Sequence, residues 1–326
     1  MKPTAKQVAH VAGVSLSAVS RAFTPGAPLD PLKKELILRV AAELGYSSPA
    51  RRTAEAIAAG TVTLVAGDLS NPFYPFVVET LAKQLQNKNR QLLVYALPSG
   101  ADVDEATPQI LATRPSAIIV TSINFTSKMA LSCRQVGIKV IQLNRIQRDV
   151  RTDAIACDNY AGGRDVAQHL LAKGYQKIGF LSGLVDTSTN FERARGFRDR
   201  MHEEGRSVHS EAAGGFNYGV AYAAVATLLT CKDPPDALFC CNDVMALAAI
   251  DAAREKGLRI PDDLAVVGFD DIPMAAWNSY CLTTVRQPVE RMVSEAVRLI
   301  EDDKSYSSED VAKCILPGKL IIRASA

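Results

Sequence analysis

Residue types that could do chemistry fall into two sets. The first is polar and aromatic. Asn144, Asn242 and Asp270 each end a short apolar run, KVIQLN from Lys139, ALFCCN from Ala237 and AVVGFD from Ala265. Phe73 and Tyr74 close the stretch that follows VTLVAGDL, and Phe216 follows Gly214-Gly215. A pocket for a polyhydroxylated molecule needs planar bidentate groups for adjacent hydroxyls and flat aromatic faces for ring carbons, so this set suits a sugar or a purine ring. Singly, each residue also has an ordinary role: Asp270 can cap a turn and Asn242 can cap the next helix.

The second set opens the chain. In TAKQVAHVAGVSLSAVSRAF, Ala9 stands four residues before Gly13 and Val19 six after it. Two helices crossing steeply over a short turn need a small residue at the contact, a residue tolerating positive φ in the turn, and an apolar residue on the second helix pointing inward. Val8, Val11 and Val14 are expected to build the shared core. Ser15 is placed to cap the second helix, which leaves Leu16, Ser17, Ser20 and Arg21 outward and able to enter a major groove. Arg21 suits a bidentate contact to guanine, and the serines suit phosphates. The plainer alternative is a helical packing module with Arg21 solvated.

Elements must hold both sets in place. Residues 4–12, 15–23 and 31–44 read as three short helices, punctuated by Gly13, Pro25-Gly26 and Gly45, and Leu36, Ile37, Val40, Ala41 and Leu44 make one apolar stripe on the third. From Val62 onward, apolar runs alternate with amphipathic stretches: VTLVAGDL, LLVYAL from Leu92, AIIVTSI from Ala117, KVIQLN and AIAC from Ala154, with helices at 76–87 and 130–136 among them. After a helix at 162–173 the pattern restarts with KIGFLSG from Lys177, a strand near Glu211, ALFCCN and AVVGFD. Such runs read as buried parallel strands, so the core is expected to be α/β, two doubly wound parallel-sheet subdomains facing across a cleft. Loops after strand C-termini line the crevice in such folds, which marks Asp68 to Tyr74, Asn144, Asn242 and Asp270.

Composition bounds the rest. The 326 residues are 48% apolar and 22% charged with a formal net charge of +2, an ordinary globular chain of more than one domain. Charge is unevenly spread. Residues 1–60 hold eight Lys/Arg and four Asp/Glu, leaving 29 and 31 of the chain's 37 and 35 for residues 61–326. Met1 to Leu29 contain no acid, which suits approach to a polyanion. The seven cysteines lack a CxxC pair and read as reduced core residues of a cytosolic protein. With four ungrouped histidines, no metal site and no cofactor are expected. No GxxxxGK[ST], GxSxG or HExxH motif supports an enzyme, and adjacent Asp270 and Asp271 make a poor acid pair. Neither an export signal nor a membrane span is visible, so a cytoplasmic location without membrane contact is expected.

Over essentially its whole length the chain also resembles the LacI/GalR family of transcriptional regulators. The strings that carry the resemblance are VAHVAGVSLSAVSRAF, AAELGY ending at Tyr46, IAAG at Ile57, SNPFY at Ser70, CDNYAGG at Cys157, RARGF at Arg193, NDVMALAAI at Asn242, VVGFDD at Val266 and LTTVRQP at Leu282. The resemblance implies an N-terminal all-α helix-turn-helix domain over 1–48, a hinge helix over 49–60 and a periplasmic-binding-protein-like (type I) core over 61–326. Its first subdomain would span about 61–158 and 288–312, its second about 159–287 and 313–326, with a last strand near Ile321. It also implies a homodimer, or a tetramer, that binds double-stranded operator DNA. Ile57, where the family usually has leucine, would wedge the minor groove. Departures are the TPGAPLDP turn after the second helix and Ser48-Pro49 before the hinge. Arg193 would bind the effector, unless it pairs with a surface acid. A sugar, sugar acid or sugar phosphate is the expected effector and a purine the alternative, with repression relieved or strengthened by it.

Overall fold

The computed structural model describes residues 3–24, 27–46, 60–67, 69–98, 101–302 and 311–326. Ile57 with the expected hinge helix around it, the Pro25-Gly26 turn and Asp68 lie outside the described residues. The chain divides into two compact units, Met1–Gly60 and Thr61–Ala326.

In the first unit, helices α1 (Ala5–Val11), α2 (Leu16–Ala22) and α3 (Pro31–Glu43) each begin at a side-chain cap. Thr4 forms a capping box with Gln7, Ser15 Oγ accepts from the Ala18 N–H at 3.2 Å, and Asp30 Oδ1 accepts from the Lys33 N–H at 3.0 Å ahead of Pro31. These caps matter because helices this short are marginal by themselves. Gly13, at φ +64°, turns α1 into α2. Val8, Ala9, Ala18, Val19, Ile37 and Val40 form the small core, and Phe23 meets Tyr46 edge-on with ring centroids 5.7 Å apart.

Two expected core residues are outside it. Val11 is 57% exposed, because Val8 and Ala12, one turn apart, take the inward line. Leu44 is exposed at the end of α3, where Tyr46 fills the place against Phe23.

The second unit carries the alternating pattern. Its first half runs β1 (Thr61–Ala66), α4 (Phe73–Gln86), β2 (Gln91–Ala96), α5 (Val103–Ala112), β3 (Ala117–Thr121), α6 (Ser127–Gln135), β4 (Lys139–Leu143) and β5 (Asp153–Cys157). The second runs α7 (Asn159–Ala172), β6 (Ile178–Ser182), α8 (Ser188–Glu203), β7 (Ser210–Ala213), α9 (Tyr218–Leu228), β8 (Ala237–Cys240), α10 (Asp243–Glu255), β9 (Ala265–Asp270) and β10 (Thr283–Arg286). Then come α11 (Val289–Glu301), β11 (Lys313–Leu316) and β12 (Lys319–Ile321). Strand order is β11-β5-β4-β3-β1-β2 in one sheet and β12-β10-β9-β8-β6-β7 in the other. Every pair is parallel except β10 with β12. Non-sequential parallel neighbours require helical crossovers, which is why β3, β5, β8 and β9 are buried throughout.

The chain passes between the subdomains three times: at Asp158, at Gln287-Pro288 and at Pro317-Gly318. The last passage corrects the expected boundary at 312/313. Lys313–Leu316 pairs with β5, from Lys313 opposite Ala154 to Leu316 opposite Cys157, and so belongs to the first sheet. Two further expectations change. LLVYAL is an edge strand rather than a buried one, with Leu93 and Val94 exposed. Of the cysteines, all free thiols, Cys231 is exposed and Cys281 and Cys314 half-buried, the other four buried. Among the described residues no helix is long and apolar enough to cross a membrane.

Candidate functional site

Strand ends and helix starts of both subdomains meet around a cavity open to solvent, with about 240 Å³ of empty space including its mouth. From the first subdomain come Asn71, Phe73 and Tyr74 at the start of α4, and Asn144 and Arg145 after β4. From the second come Thr189 and Arg193 on α8, Phe216 before α9, Asn242 after β8 and Asp270 at the end of β9. All seven residues expected around a polyhydroxylated ligand line this one cavity. Asn71 lies in the loop Asp68 to Tyr74 that its place after a strand marks, although it is not singled out there; Arg145 and Thr189 were not foreseen. Asn71 and Arg145 are near or next to Phe73 and Asn144 in sequence, which was the available signal; Thr189 gave none.

Arg193 is the pivot. Its guanidinium is buried and each of its nitrogens has a partner: Nε donates to Asn159 Oδ1 at 2.8 Å, Nη1 to the Cys241 carbonyl at 2.6 Å and Nη2 to Asp270 Oδ1 at 3.2 Å. It also lies 3.7 Å from the centroid of the Phe269 ring. Gln287 Nε2 donates to the same Asp270 oxygen at 2.7 Å. Arg193 therefore pairs with a buried acid of the cavity and not with a surface one. Burial raises the Asp270 carboxyl above its ordinary range, against the pull of Arg193 and then of Gln287. Next to it, Asp243 is pushed up to about 7 by burial and by the charge of Asp270. Tyr74 is raised chiefly by burial.

Several polar atoms are left over. Asn242 does cap α10, its Oδ1 accepting from the Met245 N–H at 3.0 Å, but its buried Nδ2 has no partner among the described residues. Asn144 Oδ1 and Arg145 Nε are likewise buried without partners. One unsatisfied acceptor and two unsatisfied donors face a space walled by Phe73, Tyr74 and Phe216, an arrangement that hydroxyl groups can complete. The backbone is strained at the same place: Asn144, Phe216 and Asp270 sit at φ +73°, +58° and +124°. Gly183 makes room for the Phe216 ring, whose nearest atom would lie 2.2 Å from a Cβ there.

On the first unit, Ser15, Leu16, Ser17, Ser20 and Arg21 are all exposed along α2. Arg21 folds back, Nε donating to the Ser17 carbonyl and Nη2 to Ser17 Oγ, both at 3.3 Å. Ala18, Val19 and Ala22 on the opposite face are buried. The face is polar and positively charged, with an apolar Leu16.

Known proteins match this architecture. Residues 167–326 match the family described as periplasmic binding protein-like domain. The chain is 28% identical to the HTH-type transcriptional regulator DegA of Bacillus subtilis (strain 168), covering 100% of this chain and 98% of that protein. It is also 28% identical to the regulator CelR of Thermobifida fusca, covering 99% and 98%. Among solved structures, a CelR–cellobiose complex superposes with a TM-score of 0.74 over 99% of this chain and 100% of that one, at 28% identity. These full-length similarities accord with the resemblance of the sequence to the LacI/GalR family. The Lac repressor dimer bound to operator and the anti-inducer ONPF shares the fold, with a TM-score of 0.74 at 22% identity over 100% and 99% of the two chains. The full-length matches take in the helix-turn-helix unit, so this chain is a DNA-binding transcriptional regulator with a periplasmic-binding-protein-like core.

Proposed function

We propose that this regulator is a cytoplasmic homodimeric repressor of a pseudo-palindromic operator, and that a small polyhydroxylated effector in the core cavity sets its grip. Leu16, Ser17, Ser20 and Arg21, with Ser15 at the helix start, read or hold each half-site, and Ile57 serves the hinge. Phe73, Tyr74, Asn144, Arg193, Phe216, Asn242 and Asp270 hold the effector. The observation that carries this reading is the buried Arg193–Asp270 pair beside the unsatisfied Asn144 Oδ1 and Asn242 Nδ2. A buried polar atom without a partner costs ~1–3 kcal/mol, a cost that ligand hydroxyls remove. A sugar is favoured because CelR, similar over its full length, forms a complex with cellobiose. The role is binding rather than catalysis. Asp270 is committed to Arg193 and Gln287, while Asp271 pairs with Arg286 and Arg323 at 2.5 and 2.6 Å, so the adjacent acids point to different partners.

Selection of a preferred duplex from random sequences, followed by titration, tests this. Arg21→Ala is expected to weaken the selected duplex about 5- to 100-fold while leaving effector binding intact. Asp270→Ala is expected to abolish the effector response of a folded protein. Equal affinity of the unaltered protein for selected and random duplexes at physiological salt would refute the reading.

A further inference from the structure

We propose that the effector is a sugar bearing an anionic group, carboxylate or phosphate, and that Arg145 binds that group. The inference rests on the cavity being the effector site and adds the ligand's charge. Charged side chains lining the cavity, among the described residues, are Arg145, Arg193 and Asp270. Arg193 and Asp270 neutralise one another through their ion pair. Arg145 has no ion pair, and its guanidinium makes no hydrogen bond among the described residues. Its Nε is buried and unsatisfied, and its Cζ lies 5.7 Å from the centroid of the Phe216 ring.

Two other acids of the second subdomain already have their own partners. Glu192 pairs with Arg148 and Arg195, both at 2.5 Å, and Asp271 with Arg286 and Arg323. Among the described residues the lining thus holds one guanidinium without a counter-ion of its own, a planar fork that matches carboxylate and phosphate oxygens. Hydroxyls of a neutral sugar can accept from its N–H groups but leave the charge without a counter-ion, which a carboxylate or phosphate supplies. In the same lining, Asn144 Oδ1 and Asn242 Nδ2 supply one acceptor and one donor for hydroxyls, and the aromatic rings supply the wall.

Calorimetry and thermal shift on the full-length protein test this, with glucose, galactose and cellobiose set against gluconate, glucuronate, galacturonate and glucose 6-phosphate. At least one anionic probe is expected to bind 10-fold or more tightly than its neutral parent, the carboxylate and phosphate arms showing which group is read. Arg145→Gln is expected to weaken that probe by about 10- to 100-fold, and Arg145→Lys to restore part of the loss. The unliganded melting temperature of each variant checks its fold. Equal or tighter binding of a neutral sugar, no binding by any anionic probe, or an unchanged affinity in Arg145→Gln overturns the proposal. If Asp270→Ala abolishes binding of whichever probe is held but Arg145→Gln does not, only the charge assignment falls. If Asp270→Ala also leaves it intact, the ligand sits elsewhere and the effector-site reading falls too.

Discussion

At the scale of single residues, the cavity depends on groups that the sequence marks only indirectly. Asp243 is fully buried at the start of α10, where Oδ1 accepts from the Thr284 hydroxyl at 2.5 Å and Oδ2 from the Ile272 N–H at 2.8 Å. Its carboxyl is pushed up to about 7, first by burial and then by Asp270. In the unfolded chain an aspartate titrates near ~3.9. Between these values the folded protein keeps a proton that the unfolded chain has lost. The contribution of Asp243 to stability is therefore full below about 4 and drains away as pH rises through about 7. Melting curves of the unaltered protein and Asp243→Asn should show the advantage of aspartate over asparagine shrinking across that window. A gap that is constant or widens with pH would contradict the assignment. Asn242, Asp270 and Asn144 were legible because residues at strand C-termini line the crevice whatever their neighbours. Gln287, Asn159 and Asp243 were not, because only the folded chain brings them to Arg193 and Asp270 from distant positions.

At the scale of elements, α8 must be held closely because it carries Thr189 and Arg193. Two glycines let it approach α7. A Cβ at Gly163 would lie 2.2 Å from the Arg193 carbonyl oxygen, and one at Gly196 would lie 2.0 Å from the Tyr160 carbonyl oxygen. Both obstacles are backbone, so neither can swing aside. Gly196→Ala is expected to destabilise the core by about 1–3 kcal/mol and, by shifting Arg193, to weaken the effector as well. Denaturant titration and calorimetry on the same variant check the two effects; wild-type values in both would mean that the helices have slack that these distances deny. Strong periodicity made most elements legible: the helices of the first unit and the buried strands stand close to where their patterns put them. Where the pattern is weak, the reading failed. The four residues of β11 carry no run long enough to say which sheet they join, and pairing with the edge of β5 decides it. LLVYAL looks buried because its residues are apolar, yet an edge position leaves it open.

At the scale of the whole core, two subdomains joined by three crossings share one ligand cavity, so a bound molecule acts on the angle between them. Direct contacts also cross the cleft. The Ile146 N–H donates to Ser188 Oγ at 2.9 Å, Arg148 pairs with Glu192 at 2.5 Å, and the Arg148 guanidinium stands 4.9 Å from the Phe191 ring centroid. Because Arg148 is 65% exposed, that pair contributes only ~0–1 kcal/mol and is screened by salt. Arg148→Ala should therefore weaken effector binding by no more than about fivefold, and by less at high salt, where loss of Asp270 abolishes it. The ligand rather than the latch then supplies the difference between arrangements. If effector and operator are coupled by about 1–3 kcal/mol, the effector changes operator affinity by roughly 5- to 150-fold, and the operator must change effector affinity by the same factor. Titrating the effector into the protein with and without its selected duplex, and the duplex with and without effector, gives the two factors independently. Arg21→Ala should lower operator affinity and leave the factor unchanged, because it removes a base contact and not a contact that differs between the two arrangements. Unequal factors at equilibrium would mean that the small molecule and the DNA are not read by one and the same protein species.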